Sequence, residues 1–139
     1  MKKIIIAIDS FKGCLTSAEA GKAAEKGIKS INPFCHTSVI PIADGGEGLL
    51  DVLITATKGK YITLSAHGPL MKMAKTHYGL SGNGRTAIIE MAAISGLPLV
   101  PIEQRNPMLT TTFGTGELIK DALNKGCRNF YNRYWRKRD

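Results

Sequence analysis

Three stretches of this 139-residue sequence combine residue types that can handle anions, metal ions or protons. The first is Asp9-Ser10-Phe11-Lys12-Gly13, where a carboxylate and an ammonium group sit beside the start of a helix. Such a pair could hold a metal-bound phosphate or a small hydroxy acid. It also suits an ordinary loop, with Asp9 and Ser10 satisfying backbone amides and Lys12 solvated. The second is Asp44-Gly45-Gly46-Glu47. Adjacent glycines let a backbone approach a ligand closely, and two carboxylates could bind Mg²⁺ or accept a hydroxyl proton. Equally, Asp44 is a good helix N-cap with Glu47 as its reciprocal capping partner. The third, Thr110-Thr111-Thr112-Phe113-Gly114-Thr115-Gly116-Glu117, brings hydroxyls and glycines to a helix N-terminus, which suits a phosphate or carboxylate. It has neither the Lys-Ser/Thr ending of a P-loop nor a third glycine for a dinucleotide fingerprint, since Ile119 stands there. A simple threonine-capped helix accounts for it as well. Arg105 could clamp a carboxylate through its guanidinium fork or be a plain loop residue. His36, His67 and His77 show no ligand spacing and read as structural or solvated, and Cys14 has no paired base.

The elements that must position these loops follow from pattern. Ile4-Ile5-Ile6-Ala7-Ile8 is a β-branched run typical of a parallel strand covered on both faces. Thr16 and Glu19 form a capping box, and a helix follows to about Ser30, with Ala20, Ala24, Ile28 and Ile31 on one face and Glu25 and Lys29 able to pair on the other. A strand over 37–42 precedes the second loop, and Leu49, Leu50, Leu53 and Ala56 mark a short helix with Gly59 as its left-handed cap. The middle alternates instead: Tyr61–Ala66, Met71–Leu80 and Thr86–Met91, separated by Gly68-Pro69 and Gly82-Asn83-Gly84, predict an antiparallel meander. Residues 95–107 read as loop-rich, and Thr110 to Gly116 as a Thr/Gly loop. Glu117 to Lys125 predicts a third helix capped by Gly126, and Cys127 opens a further strand. The expected fold is α/β: a parallel sheet with helical crossovers plus an antiparallel meander.

Composition narrows the function classes. With 43% hydrophobic and 22% charged residues, the chain is globular. It has no apolar run of membrane-spanning length and no signal-peptide pattern, and its three cysteines form neither a metal motif nor a disulfide framework. A cytoplasmic setting is the expectation. The net charge of +8 is misleading as a guide to partners: Tyr131–Asp139 alone contributes +3, along with the sole tryptophan.

Taken together, five segments resemble the glycerate kinase family, the bacterial type that phosphorylates glycerate with ATP. They are Asp9-Ser10-Phe11-Lys12-Gly13, Ala43-Asp44-Gly45-Gly46-Glu47-Gly48, Glu90-Met91-Ala92-Ala93 with Ser95-Gly96-Leu97, Arg105-Asn106-Pro107, and Thr110 through Ile119. The resemblance covers residues 1 to about 130. It implies transfer of the ATP γ-phosphoryl group to glycerate with Mg²⁺, on a fold of two α/β domains of which this chain is an incomplete part. Under it, Asp44, Glu47 and Lys12 are candidate catalytic residues, with Asp44 the tentative Mg²⁺ ligand. Asp9, Ser10 and Arg105 are candidates for substrate binding, and Thr112, Gly114, Thr115 and Gly116 for cradling a phosphate. Phosphoryl transfer asks for positioning and charge neutralisation, which suits such a set.

Members of that family are well over twice as long and continue after the equivalent of Phe130 with an apolar strand and a Gly-rich loop. Here the sequence turns basic and aromatic over 131–139. One allowed back-translation of that tail, with its first base dropped, reads Ile-Ile-Gly-Ile-Gly-Gly-Ser-Ala-Thr. The expectation is therefore a frameshift near residue 130, an out-of-frame tail and a short form that is inactive and poorly stable alone. The rival is a non-catalytic small-anion-binding module whose arginines, interleaved with Tyr131, Tyr134 and Trp135, contact nucleic acid.

Overall fold

A computed structural model describes residues 3–11, 14–43 and 48–133. The expectations for Lys12, Gly13, Asp44 to Glu47 and the tail from Tyr134 onward lie outside them. The chain divides into two compact units at Val52/Leu53.

In the first unit, β1 (Lys3–Ile6) pairs in parallel with β2 (His36–Val39), Ile5 standing opposite Ser38, and α1 (Ser17–Ile31) makes the crossover. The predicted capping box is present: Thr16 Oγ1 accepts from the Glu19 N–H at 3.2 Å, and Glu19 accepts from the Thr16 N–H at 2.8 Å. The Thr16 backbone N–H first, and then the Thr16 hydroxyl, which donates to the carboxylate at 2.7 Å, hold the Glu19 carboxyl below the usual carboxylate range. Glu25 and Lys29 pair at 3.9 Å. Ser17 ties the layer together, donating to the Ile8 carbonyl at 2.7 Å and accepting the Ile42 N–H at 2.9 Å. The regular ladder of β2 stops at Val39, short of the predicted Ile42, although the Ile40 N–H still reaches the Ile6 carbonyl. Pro41 offers no N–H to continue it. On α1, Ala20 is buried, but Ile31 at the end of the predicted apolar face is 88% exposed.

The helix α2 (Leu49–Thr57) leads into the second unit. Its left-handed terminal residue is Lys58 (φ 51°), not the expected Gly59. Gly59 is needed for another reason: a side chain there would collide with the Leu80 carbonyl. The meander forms as predicted. Strand β3 (Lys60–His67) pairs antiparallel with β4 (Met73–Leu80), and β4 with β5 (Thr86–Glu90). Strand β6 (Asn129–Arg133) then joins β5 in parallel, with Ile89 opposite Asn132, which gives the sheet order β3-β4-β5-β6.

The crossover between β5 and β6 is not all loop. It contains α3 (Ala92–Ser95), two 3-10 turns at Leu97–Leu99 and Ile102–Gln104, and α4 (Phe113–Asn124). Helix α4 begins four residues before the predicted Glu117, and Gly126 (φ 91°) ends the segment as expected. It packs across the sheet, burying Leu118 and Ala122 with Ala66, Tyr78, Ala87, Ile89, Ile94 and Cys127. No helix among the described residues is long and apolar enough to cross a membrane.

Candidate anion cleft

The second unit carries a cleft of about 550 Å³ lined by Pro69, Ser95, Leu97, Val100, Arg105, Asn106, Pro107 and Thr110 to Thr112. Each part arrives by a different route. Pro69 follows the end of β3, and Ser95 closes α3. The 3-10 turns carry the chain round to Arg105, and Thr110–Thr112 enters α4. Two motifs that were separate candidates in the sequence, Arg105-Asn106-Pro107 and the threonine run, therefore meet in one place.

Its chemistry is that of a donor-rich site. Arg105 is exposed, and its Nε donates to the Val100 carbonyl at 3.1 Å, which anchors the guanidinium by one edge. The remaining edge is the part of the fork that suits a carboxylate or phosphate. The Asn106 side-chain oxygen accepts the Met108 N–H at 2.9 Å, so the amide group leaves its two N–H donors for another partner. Thr111 Oγ1 accepts the Phe113 N–H at 3.1 Å in a local turn just before α4, leaving its hydroxyl hydrogen to donate. Among the described residues, the lining contains one ionisable side chain, Arg105, and no carboxylate. This donor set fits an anion and offers Mg²⁺ no hard oxygen anion. Among the described residues, no group of three or more His, Cys, Asp or Glu side chains is placed to hold a metal.

The other phosphate candidates take different positions. Thr112 lines the cleft without capping the helix through its side chain, and its carbonyl accepts the Thr115 and Gly116 N–H groups. Gly116 is exposed with open space around it. Gly114 is buried where a Cβ would collide with the His67 carbonyl, so its lack of a side chain lets α4 close onto the end of β3. Thr115 is 5% exposed, and its hydroxyl is bonded to Ser95 Oγ at 2.8 Å, behind the cleft.

His67, which the sequence offers as structural or solvated, is bound to Glu117. The carboxylate accepts the His67 N–H at 2.7 Å and lies 3.0 Å from His67 Nδ1. The His67 backbone N–H, and then the ring, hold the Glu117 carboxyl below the usual range despite partial burial. Fifty residues separate the pair, so no local spacing in the sequence signals it.

In the first unit, Asp9 and Ser10 are half-buried in the loop after β1. Asp9 Oδ1 accepts the Ser10 N–H at 2.7 Å, which is the local amide-satisfying role open to it from sequence.

Comparison with known proteins gives a consistent result. The glycerate kinase family model matches residues 4–131. A glycerate kinase of Haemophilus influenzae is 53% identical over 92% of this chain, and one of Bacillus subtilis is 52% identical over 90%. A glycerate 2-kinase of Escherichia coli is 48% identical over 91%. A crystal structure named for glycerate kinase 2 of Salmonella typhimurium LT2 superposes with a TM-score of 0.83, at 45% identity over 93% of the chain. The chain spans about a third of the length of each, 33–34%.

Proposed function

Because the chain belongs to the glycerate kinase family, we propose that it is the N-terminal part of an enzyme that transfers the γ-phosphoryl group of ATP to a hydroxyl of glycerate. The observation that carries this reading is the convergence of Arg105, Asn106 and Thr110–Thr112 on one cleft. Two of the family-like motifs supply its donors. In this reading Arg105 takes the glycerate carboxylate through its guanidinium fork. The Thr110–Thr112 segment steadies an anion at the start of α4. Asp9 and Ser10 are proposed as substrate-binding residues of the whole enzyme.

Mg²⁺ and the proton transfer fall to the acidic loop. Asp44 would hold the metal, which neutralises phosphate charge when bound, and Glu47 or Asp44 would accept the hydroxyl proton of glycerate. Lys12 would hold a phosphate oxygen as a point charge. The described lining of the Arg105 cleft does not itself suit a metal.

The 139-residue chain is proposed to have no turnover by itself, since it spans a third of the relatives' length. The tail is proposed to be out-of-frame translation. The family match stops at residue 131, where the sequence turns basic and aromatic. In the allowed back-translation with its first base dropped, the tail would read as an apolar strand and a Gly-rich loop. Resequencing the gene across codons 125 to 145 tests this directly: one surplus base followed by a long open frame is expected. An uninterrupted stop after Asp139 without such a frame would favour the binding module with a basic tail.

The catalytic reading is tested by ATP- and glycerate-dependent ADP release, run on a full-length relative and on this chain side by side. Full-length protein turns over. Replacement of its residue equivalent to Asp44 by Asn lowers the rate by roughly two orders of magnitude or more while leaving the protein folded. A near-normal rate in that variant sinks the role given to Asp44.

A further inference from the structure

The cleft has a frame behind it that neither the motifs nor the proposed chemistry uses. Residues 67–69 and 111–117 are fastened together at several points. Glu117 accepts both the backbone N–H of His67, at 2.7 Å, and its ring Nδ1, which lies 3.0 and 3.1 Å from the two carboxylate oxygens. An ionised carboxylate only accepts, so Nδ1 carries the hydrogen. The Phe113 ring meets the His67 ring edge-on, with centroids 5.5 Å apart. Gly114 lies against the His67 carbonyl with no room for a side chain. Two residues further along the first segment, the Pro69 carbonyl accepts the Thr111 N–H at 3.0 Å.

Pro69 and Thr111 are both part of the cleft lining; His67 and Glu117 are not. A second bridge, Thr115 Oγ1 to Ser95 Oγ, ties α4 to the end of α3, from which the chain leads to Arg105. The helix that follows the threonines is thus held at its start by two bridges, one to His67 and one to Ser95. Of the two bridges, the Glu117 one is the stronger kind. It is charge-assisted, has two donors on one acceptor group, and engages backbone as well as side chain.

We propose that Glu117 is a positioning residue for the anion cleft: by clamping His67 it fixes Thr110–Thr112 against Pro69, and so sets their distance from Arg105. The inference rests on reading the cleft as an anion site. The Glu117 carboxylate meets no ligand in this arrangement. It acts through His67 and the start of α4, and its removal lets the threonine wall drift while the sheet beneath stays intact. A displacement of even an ångström there weakens a ligand that must meet Arg105 and the threonine hydroxyls together.

The test uses the whole 139-residue chain, with D-glycerate and inorganic phosphate as probes and Glu117→Ala and Glu117→Gln as variants. Glutamine keeps an oxygen for the His67 N–H and can donate its amide to Nδ1 in the other ring tautomer, so the clamp survives without the charge. At a temperature where circular dichroism shows every variant folded, Glu117→Ala is expected to raise hydrogen exchange at the Thr111 amide by about tenfold and to weaken probe binding by about tenfold. Glu117→Gln restores both to within about threefold of the wild type. A residue important only for stability would lower the melting temperature without moving either readout in the folded protein. Unchanged Thr111 exchange in Glu117→Ala overturns the proposal, as does changed exchange with unchanged affinity. If Glu117→Ala fails to fold, Glu117→Asp, one methylene shorter, takes its place with the same readouts. A wild-type chain that binds neither probe overturns the cleft reading and this proposal with it. Membership of the family and the role given to Asp44 are untouched by that result.

Discussion

The two units of this chain obey the same local rules and reach different ends. Residues 3–43 have strong local signals: a β-branched strand, a complete capping box, an i,i+4 ion pair and a parallel strand in register. Yet Ile4 is 36% exposed, Ile5 60% and Phe34 87%. Beyond residue 53, the meander has weaker individual signals, but Tyr78, Ala66 and Leu118 are fully buried and Ile89 and Ile94 nearly so. The difference is topological. Two parallel strands with one crossover helix leave apolar surface uncovered, because a parallel sheet is stable when both faces are packed. An antiparallel meander with a helix laid across it closes a core with nearby chain. The described anion cleft belongs to the second kind of region, and the Asp9-Ser10 loop to the first. A site that needs sub-ångström positioning is better served by the packed region.

The largest expected effect contrasts a buried residue of the second unit with an apolar strand residue of the first. Leu118→Ala, in the packed region, removes a side chain that is 0% exposed and leaves a cavity, at a cost of about 2–5 kcal/mol. Ile5→Ala, in the run that looks most like core from sequence, removes one that is 60% exposed and costs less than about 1 kcal/mol. Urea unfolding of the two variants beside the wild type measures both. Equal costs would break the comparison, because they would mean that the face of β1 is covered in solution.

A smaller effect sharpens it through pH. Tyr78 is fully buried, and its hydroxyl donates to Asp121 Oδ2 at 2.8 Å. Burial first, then that hydrogen bond and the negative charge of Asp121, push the phenol far above its ordinary pKa. For Asp121, burial acts upward, but the bonds from Lys125 and Tyr78 outweigh it and hold the carboxyl low. The sign for Tyr78 follows from linkage. Its folded pKa is raised, so its contribution is complete below the unfolded value near 10 and is lost as pH rises beyond it. Tyr78→Phe should cost about 1.5 kcal/mol at neutral pH. It should also flatten the fall in stability above about pH 10 relative to the wild type. Denaturant midpoints at pH 8 and pH 10.5 test this; parallel pH slopes for the two proteins would show that the phenol is not sequestered.

Much of the fold was legible because its signals are short-range. The Thr16/Glu19 box, the alternation of β3 to β5 and the Gly126 terminus each lie within a few residues of sequence. The start of α4 was not. Gly114, Thr115 and Gly116 are poor helix formers, and what recruits them is distant: Gly114 packs on the His67 carbonyl and Thr115 bonds Ser95. The Lys58 turn was misread at Gly59 for a similar reason, since that glycine answers a close approach from Leu80. For the candidate site, Arg105 and the threonines were visible as residue types, but nothing local says that they share a cleft. The Glu117–His67 clamp, spanning fifty residues, had no sequence signal at all.

The smallest effect belongs to the first unit and asks how local its order is. Thr16→Ala removes the hydroxyl that accepts the Glu19 N–H and, with it, one half of the reciprocal box. The expected cost is about 1 kcal/mol, which corresponds to roughly fivefold faster amide exchange in the first turns of α1. Glu19 adds a pH signature. Its folded pKa is depressed, so its contribution is present above the unfolded value near 4.3 and lost as pH falls through the folded one. In Thr16→Ala that acid-side loss should shrink, because the backbone and hydroxyl donors that favour the carboxylate are weakened. If the first unit is held together by such local bonds, exchange at β3 to β5 stays at wild-type rates in this variant. Faster exchange throughout the sheet would instead mean that the two regions unfold as one, and that the packed region owes part of its stability to the open one.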